Sequence, residues 1–166
     1  AQLQGDAYQS LDAANLSCSD LEWAQDHLMI LSGLYGVLRP LDAMHPYRLE
    51  MKTKLCVGDH KDLYQYWGHK LMHFLEEKVQ STQSEYIINL ASNEYSKAAL
   101  PKGHTLPVID INFKDLKNGA YKTIGLYAKR ARGAMARAII VERMTSAEQI
   151  KTLCLDGYCP STTTLA

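Results

Sequence analysis

The stretch Ser32-Gly33-Leu34-Tyr35-Gly36-Val37-Leu38-Arg39-Pro40-Leu41-Asp42, running on to His45-Pro46-Tyr47-Arg48-Leu49-Glu50-Met51, constrains this chain more than any other. It follows neither the period of 2 nor that of 3.6, so no single strand or helix accounts for it. Gly33 and Gly36 suit positions that need positive φ or close backbone approach. Pro40 and Pro46 fix φ and push Arg39 and His45, the residues before them, out of helix. Rigid turn residues placed around Arg39, Arg48, Tyr35 and Tyr47 shape a polar surface. The competing reading is a well-packed connector with solvated arginines.

At 166 residues, the chain is long enough for one domain that buries roughly 70% of its unfolded surface. Eighteen basic and eighteen acidic side chains balance to zero, so only their distribution can argue for a charged partner. That distribution is polarised. Residues 1–28 carry Asp6, Asp12, Asp20, Glu22 and Asp26 and no Lys or Arg, whereas residues 122–143 carry Lys122, Lys129, Arg130, Arg132, Arg137 and Arg143 against Glu142. Cys18, Cys56, Cys154 and Cys159 form no CxxC pair. Together with the absence of a signal peptide, this reads as four free thiols of a cytoplasmic protein. No run approaches the ~20 apolar residues of a membrane helix, and no membrane partner is expected.

Ser17 or Ser19 caps a helix expected over 20–28, with Asp20 and Glu22 in its first turn. The apolar run Leu28–Leu31 fits a short buried strand or a helix segment equally. Leu63, Tyr66, Trp67, Leu71 and Phe74, spaced by three and four, predict one helix from Asp59 or Lys61 to about Val79. A strand is expected over 85–90, a helix capped by Ser92 reaching Leu100, and a strand over 107–113. Asn118-Gly119 marks a hairpin turn with a return strand over 121–125. Helices follow over 126–143 and 146–153. The fold expected is α+β, a mixed sheet with flanking helices in a single domain.

At about 100° per residue, Lys129, Arg130, Arg132, Arg137 and Arg143 fall within an arc of roughly 160°. Tyr127, Ala131, Ala134, Met135, Ala138 and Ile139 take the other side. One face packs and the other presents cations of a single sign, which suits an anion; the alternative is a solvated face. Ser92 and Asn93 stand at a strand-to-helix junction, where free N–H groups and the helix dipole favour anions, or where Ser92 simply caps. With Arg39 and Arg48 these residues are candidates for one electropositive cleft, and phosphate is its natural guest. Tyr127 and Lys129 would form a proton-transfer pair only if the lysine were desolvated. His69 and His73 have the i,i+4 spacing of metal ligands but no third ligand, so no metal and no cofactor is expected.

The run LSGLYGVLRPLDAMHPYRLEM resembles the signature of the YaaA family of bacterial peroxide-stress proteins. Lys61-Asp62-Leu63-Tyr64-Gln65-Tyr66-Trp67-Gly68, Asn89-Leu90-Ala91-Ser92-Asn93-Glu94-Tyr95 and Tyr127-Ala128-Lys129-Arg130-Ala131-Arg132-Gly133-Ala134-Met135 extend the match in the same order. The resemblance implies a cytoplasmic protein that protects against hydrogen peroxide, is linked to limiting free intracellular iron, and binds DNA. It also implies that residues 1–166 are one YaaA-like domain. That domain would lack an N-terminal strand and a helix-hairpin-helix-like segment, and would be altered or truncated after Gly157-Tyr158, leaving it marginally stable alone.

The leading functional expectation is a non-enzymatic protein that binds duplex or branched DNA. Arg39, Arg48, Ser92, Asn93, Lys129, Arg130, Arg132 and Arg137 are its anion-binding residues, and Arg39, Arg48, Lys129, Arg130 and Arg132 are expected on one concave face. The alternative is an enzyme acting on a small phosphorylated or nucleotide-like molecule in the same cleft. A purely structural module would instead pair its arginines with acids.

Overall fold

The computed structural model describes residues 6–43, 45, 47–155 and 157–161; the Pro46 turn and the end at Thr162–Ala166 fall outside the described residues. In chain order the elements are α1 (Asp6–Leu11), a 3-10 turn (Ala13–Asn15), α2 (Cys18–His27), β1 (Ile30–Ser32), β2 (Gly36–Leu38), α3 (Leu63–Trp67) and α4 (Lys70–Ser81). They continue with β3 (Ile87–Asn89), α5 (Asn93–Ala99), β4 (Val108–Asp110), β5 (Asp115–Lys117), β6 (Ala120–Lys122), α6 (Gly125–Val141) and α7 (Ala147–Lys151). The fold is mixed α+β. Among the described residues, the strands form three separate pairs instead of one continuous mixed sheet. The chain divides into two compact units: Ala24–Ile111, and the described residues of Leu3–Trp23 together with Asn112–Ala166.

In the first unit β1 runs antiparallel to β2, with Leu31 opposite Val37, a pairing that the ambiguous run Leu28–Leu31 did not disclose. β3 and β4 are parallel, with Ile88 opposite Ile109, and α5 lies between them in sequence as a parallel crossover requires. The single helix expected from Asp59 or Lys61 to about Val79 is two. Asp62 caps α3 by accepting from the Gln65 N–H at 2.8 Å. Gly68 then takes φ +52 and its N–H closes on Tyr64 O at 2.9 Å, ending α3 before α4 begins. The apolar stripe survives the break. Leu63, Leu71 and Leu75 share one buried cluster with Met51, Ala98 and Ala99, and Trp67, Ile87 and Tyr95 pack against it.

The second unit is built on α6, which packs against α1. Ala128, Ala131 and Gly133 are buried along α6 with Met135 and Ile140, small residues that let another helix approach closely. Burial of Gly133 and Ile140 shows the packed face reaching into the arc assigned to the cations. Tyr127, expected to pack, is instead 49% exposed. Ser17 caps α2 by accepting from the Asp20 N–H at 3.1 Å, and Ser146 forms a capping box with Gln149 at α7. Asn118 and Gly119 take φ +53 and +77 in the turn between β5 and β6, as their dipeptide predicts.

The expectation of four free thiols is corrected at the end of this unit. Cys154 and Cys159 are disulfide-bonded, while Cys18 and Cys56 are free and exposed. The cause is local. Leu155 and Tyr158 exchange backbone hydrogen bonds of 2.8 and 2.7 Å across a turn in which Gly157 has φ +83. The next residues outward then face each other as a non-hydrogen-bonded antiparallel pair, with Cα atoms 4.3 Å apart. Among the described residues, no helix is long and apolar enough to cross a membrane.

Candidate nucleic-acid interface

The glycine- and proline-rich signature is knitted to itself. Ser32, 1% exposed at the end of β1, shares a hydrogen bond with the Tyr47 hydroxyl, and its Oγ accepts from the Tyr35 N–H at 3.0 Å. The Tyr35 hydroxyl accepts from the His45 N–H at 3.0 Å, and the Tyr35 and Tyr47 rings meet edge to face at 5.6 Å. Trp67 donates its indole N–H to Gly33 O at 3.0 Å. A Cβ on Gly33 would lie 2.8 Å from Leu49 O, so only glycine lets the two backbones pass. Met51, fully buried, pins the far end of the segment into the core. The tyrosines and glycines of this block therefore hold a long irregular connector in place.

Its arginines differ in fate. The Arg39 N–H donates to Asp42 Oδ2 at 2.8 Å and its Nε lies 3.5 Å from Asp42 Oδ1, an exposed pair across i,i+3. Arg39 and Asp42 line a shallow cleft of about 470 Å³ with Val37, Phe74, Glu77 and Lys78, so charges of both signs face the same space. Arg48 is exposed and makes no ion pair among the described residues. Ser92 stands at the N-cap of α5 without a side-chain cap bond, and Asn93 opens the helix. Glu94 occupies the first turn, and its carboxylate accepts from the Lys52 N–H at 3.3 Å, placing negative charge where an anion would sit.

The other sequence candidates lie in the second unit. Arg137 donates from Nη1 to Leu11 O and Asp12 O, both at 2.9 Å, which satisfies carbonyls left over at the C-terminal end of α1. Arg143 lies beyond α6 with φ +49 and pairs with Asp20 at 2.6 Å, its guanidinium 5.6 Å from the Trp23 ring centre. The hydrogen bond from Arg143 holds the Asp20 carboxyl below its usual range. Neither the cap nor the long-range pair has a cue in the local sequence.

Lys129 and Arg130 are exposed and pair with no acid among the described residues. Arg132 is half-buried: its Nε is shielded without a hydrogen-bond partner, and burial pulls its pKa down. The β5–β6 hairpin, which the sequence reading did not weigh as a site, adds Lys114, Lys117 and Lys122, all exposed. Residues 112–133 thus carry six basic side chains and one acid, Asp115. That acid is occupied, because the Tyr158 hydroxyl donates to its Oδ2 at 2.5 Å. Leu116 and Tyr121, directly opposite on the hairpin, are 65% and 72% exposed. Lysines at short intervals around Tyr121 were a readable signal.

Tyr127 and Lys129 are both exposed, so nothing desolvates the lysine. His73 Nδ1 is 3.1 Å from Glu76 Oε2, and no group of three His, Cys, Asp or Glu among the described residues could hold a metal ion.

The structure is that of a small mixed α+β protein with an unneutralised basic segment on one of its two units. The chain belongs to the family described as peroxide stress protein YaaA, whose family model matches residues 2–163. It is 50% identical over 155 residues to a UPF0246 protein of Aliivibrio fischeri strain MJ11, covering 93% of this chain and 60% of that protein. A UPF0246 protein of Janthinobacterium sp. strain Marseille is 50% identical over 154 residues, again 93% of this chain and 60% of the relative. One from Pseudoalteromonas translucida strain TAC 125 is 49% identical over the same shares. The chain therefore spans about three-fifths of the length of these relatives.

Proposed function

We propose that this chain contributes a DNA-binding surface to a cytoplasmic peroxide-stress protein whose protective role is linked to limiting free iron. The observation that carries the DNA reading is the basic segment 112–133, six cations whose one acid is already hydrogen-bonded. Exposed Lys129 and Arg130 supply mobile charges for phosphate, and the unpartnered Nε of Arg132 lacks an acceptor. A structural module would have paired these cations with acids, as it pairs Arg143 with Asp20. The small-phosphate reading draws less support, because the cleft beside Arg39 also presents Asp42 and Glu77.

The test is affinity for one duplex over a salt series, comparing the chain with its Lys129→Glu/Arg130→Glu variant. Arg132 is left in place because a glutamate there would be half-buried. Each phosphate contact contributes about 0.9 to the slope of log K against log salt, so losing two flattens it by up to ~1.8. Circular dichroism serves as the folding control. An unchanged slope in a folded variant removes α6 from the interface.

A further inference from the structure

We propose that Cys154 and Cys159 form a site of reversible oxidation by hydroperoxides, cycling between dithiol and disulfide on a turn that keeps its shape in both states. The turn is closed by backbone, through the two Leu155–Tyr158 hydrogen bonds and the positive φ of Gly157. It is also anchored independently of sulfur. The Tyr158 hydroxyl donates to Asp115, and its ring meets the buried ring of Phe113 edge to face at 5.3 Å. A bridge stabilises chiefly by restricting a loop that would otherwise be open. Here the loop is already shut, so the bridge has little left to restrain. What the turn does accomplish is to hold two thiols face to face after reduction, which gives their reaction a high effective concentration.

Access completes the argument. Both cysteines are exposed, so peroxide and a reducing thiol reach the same sulfur atoms. Exposed bridges belong to the labile class, not to the resistant structural one. The chain's family is described by peroxide stress, which names the oxidant class. In the forward step one thiolate attacks a peroxide oxygen. The O–O bond breaks, a sulfenic acid forms, and the other oxygen leaves and is protonated to water. The second thiolate then attacks the sulfenic sulfur. The S–S bond forms and hydroxide leaves, protonated to a second water. Two thiols and one hydrogen peroxide give one disulfide and two waters, with the sulfurs losing two electrons and the peroxide gaining two. Exchange with a small thiol reverses the change.

The experiment uses the whole chain, reduced with dithiothreitol, freed of reductant and titrated with hydrogen peroxide. Thiols are trapped by alkylation and each cysteine is read by peptide mass. The expected result is simultaneous loss of both thiols at 154 and 159 as a bridge. Cys18 and Cys56, which have no disulfide partner, become sulfenic and then sulfinic acids, and renewed dithiothreitol restores only the pair. Cys159→Ser should leave Cys154 as a sulfenic acid that dimedone captures. Gly157→Val, which strains the turn, should slow bridge closure without slowing the first oxidation. The proposal fails if dithiothreitol cannot reduce the bridge in the folded protein. It fails equally if peroxide takes Cys154 and Cys159 to sulfinic acids alongside Cys18 and Cys56, or if Gly157→Val closes the bridge as fast as the parent chain.

Discussion

Gly36 opens β2 with φ +78, and a Cβ built there would lie 2.8 and 2.9 Å from two atoms of the Trp67 ring and 3.1 Å from Leu71 Cδ2. Neither neighbour yields easily. The Trp67 indole is tied to Gly33 O and meets Tyr66 edge to face at 5.0 Å, while Leu71 is buried in the core. Gly36→Ala therefore meets two penalties. Left-handed backbone costs a non-glycine residue about 1–2 kcal/mol, and overpacking a filled core costs about 1–3 kcal/mol. Their sum is about 2–5 kcal/mol, a large part of the ~5–15 kcal/mol that holds a typical domain folded. Gly58 in the same unit separates the two, since it has φ +59 and nothing within 4 Å of a Cβ. Gly58→Ala should lose only the backbone share, about 1–2 kcal/mol. The assay is urea denaturation followed by Trp67 fluorescence in a Trp23→Phe background, so that the first unit alone is read. If the two alanine variants agree within about 0.5 kcal/mol, the ordinary error of such comparisons, the contact with Trp67 carries no weight and the reasoning is refuted.

Arg137→Met should destabilise the second unit by roughly 2–4 kcal/mol, since charge-assisted hydrogen bonds to two helix-end carbonyls are lost, and Arg137→Lys should recover part of this; denaturant midpoints decide. Asp20, whose carboxyl is held low by Arg143, contributes stability that is present above its unfolded value of 3.8 and is lost as pH falls below it. Asp20→Asn should flatten that acid limb in a melting-temperature series. Tyr158 behaves oppositely. Burial first, then Asp115, raise its phenol from 10.0 to about 12, so its contribution is complete below pH 10 and is lost as pH rises from 10 through 12. Tyr158→Phe should abolish that alkaline loss.

What could be read from the sequence is what local chemistry decides. The Ser17 cap, offered with Ser19 as its alternative, the Asn118-Gly119 turn and the run of α6 depend on residues within four positions, and the structure keeps them. The misreadings share a cause as well. The stripe through Leu63, Tyr66, Trp67 and Leu71 is continuous in pattern, but Gly68 turns the backbone left-handed beneath it, so one period spans two helices. A wheel drawn for α6 alone could not show that Gly133 is buried, nor that Arg137 and Arg143 answer groups more than 120 residues away. The bridged cysteines were legible in principle. Asp156-Gly157 is a hairpin dipeptide, and a two-residue turn places the positions flanking its closing pair opposite each other. Reading thiols by compartment concealed what the turn disclosed. For the candidate site, charge was visible in its distribution along the chain, but pairing was not.

The second unit draws on two stretches of sequence, the described residues of Leu3–Trp23 and of Asn112–Ala166, and Ala24–Ile111 of the first unit stands between them in the chain. Leu11 and Arg137, bonded in the finished structure, stand 126 residues apart. At about 5–20 residues per second, synthesis would leave α1 waiting roughly 6 to 25 s for α6. Residues Ala24–Ile111 of the first unit emerge within that interval, and their strand pairs and helices close over shorter spans. Joining α1 to α6 across a flexible chain of that length would cost about 4 kcal/mol in loop entropy. Folding of Ala24–Ile111 beforehand removes most of that flexible chain from the loop to be closed. In pulse-labelled hydrogen exchange, the amides of α1 should gain protection after those of α4, although α1 precedes α4 in the chain. On this order α1 docks on α6 only after the strand pairs of the first unit have closed.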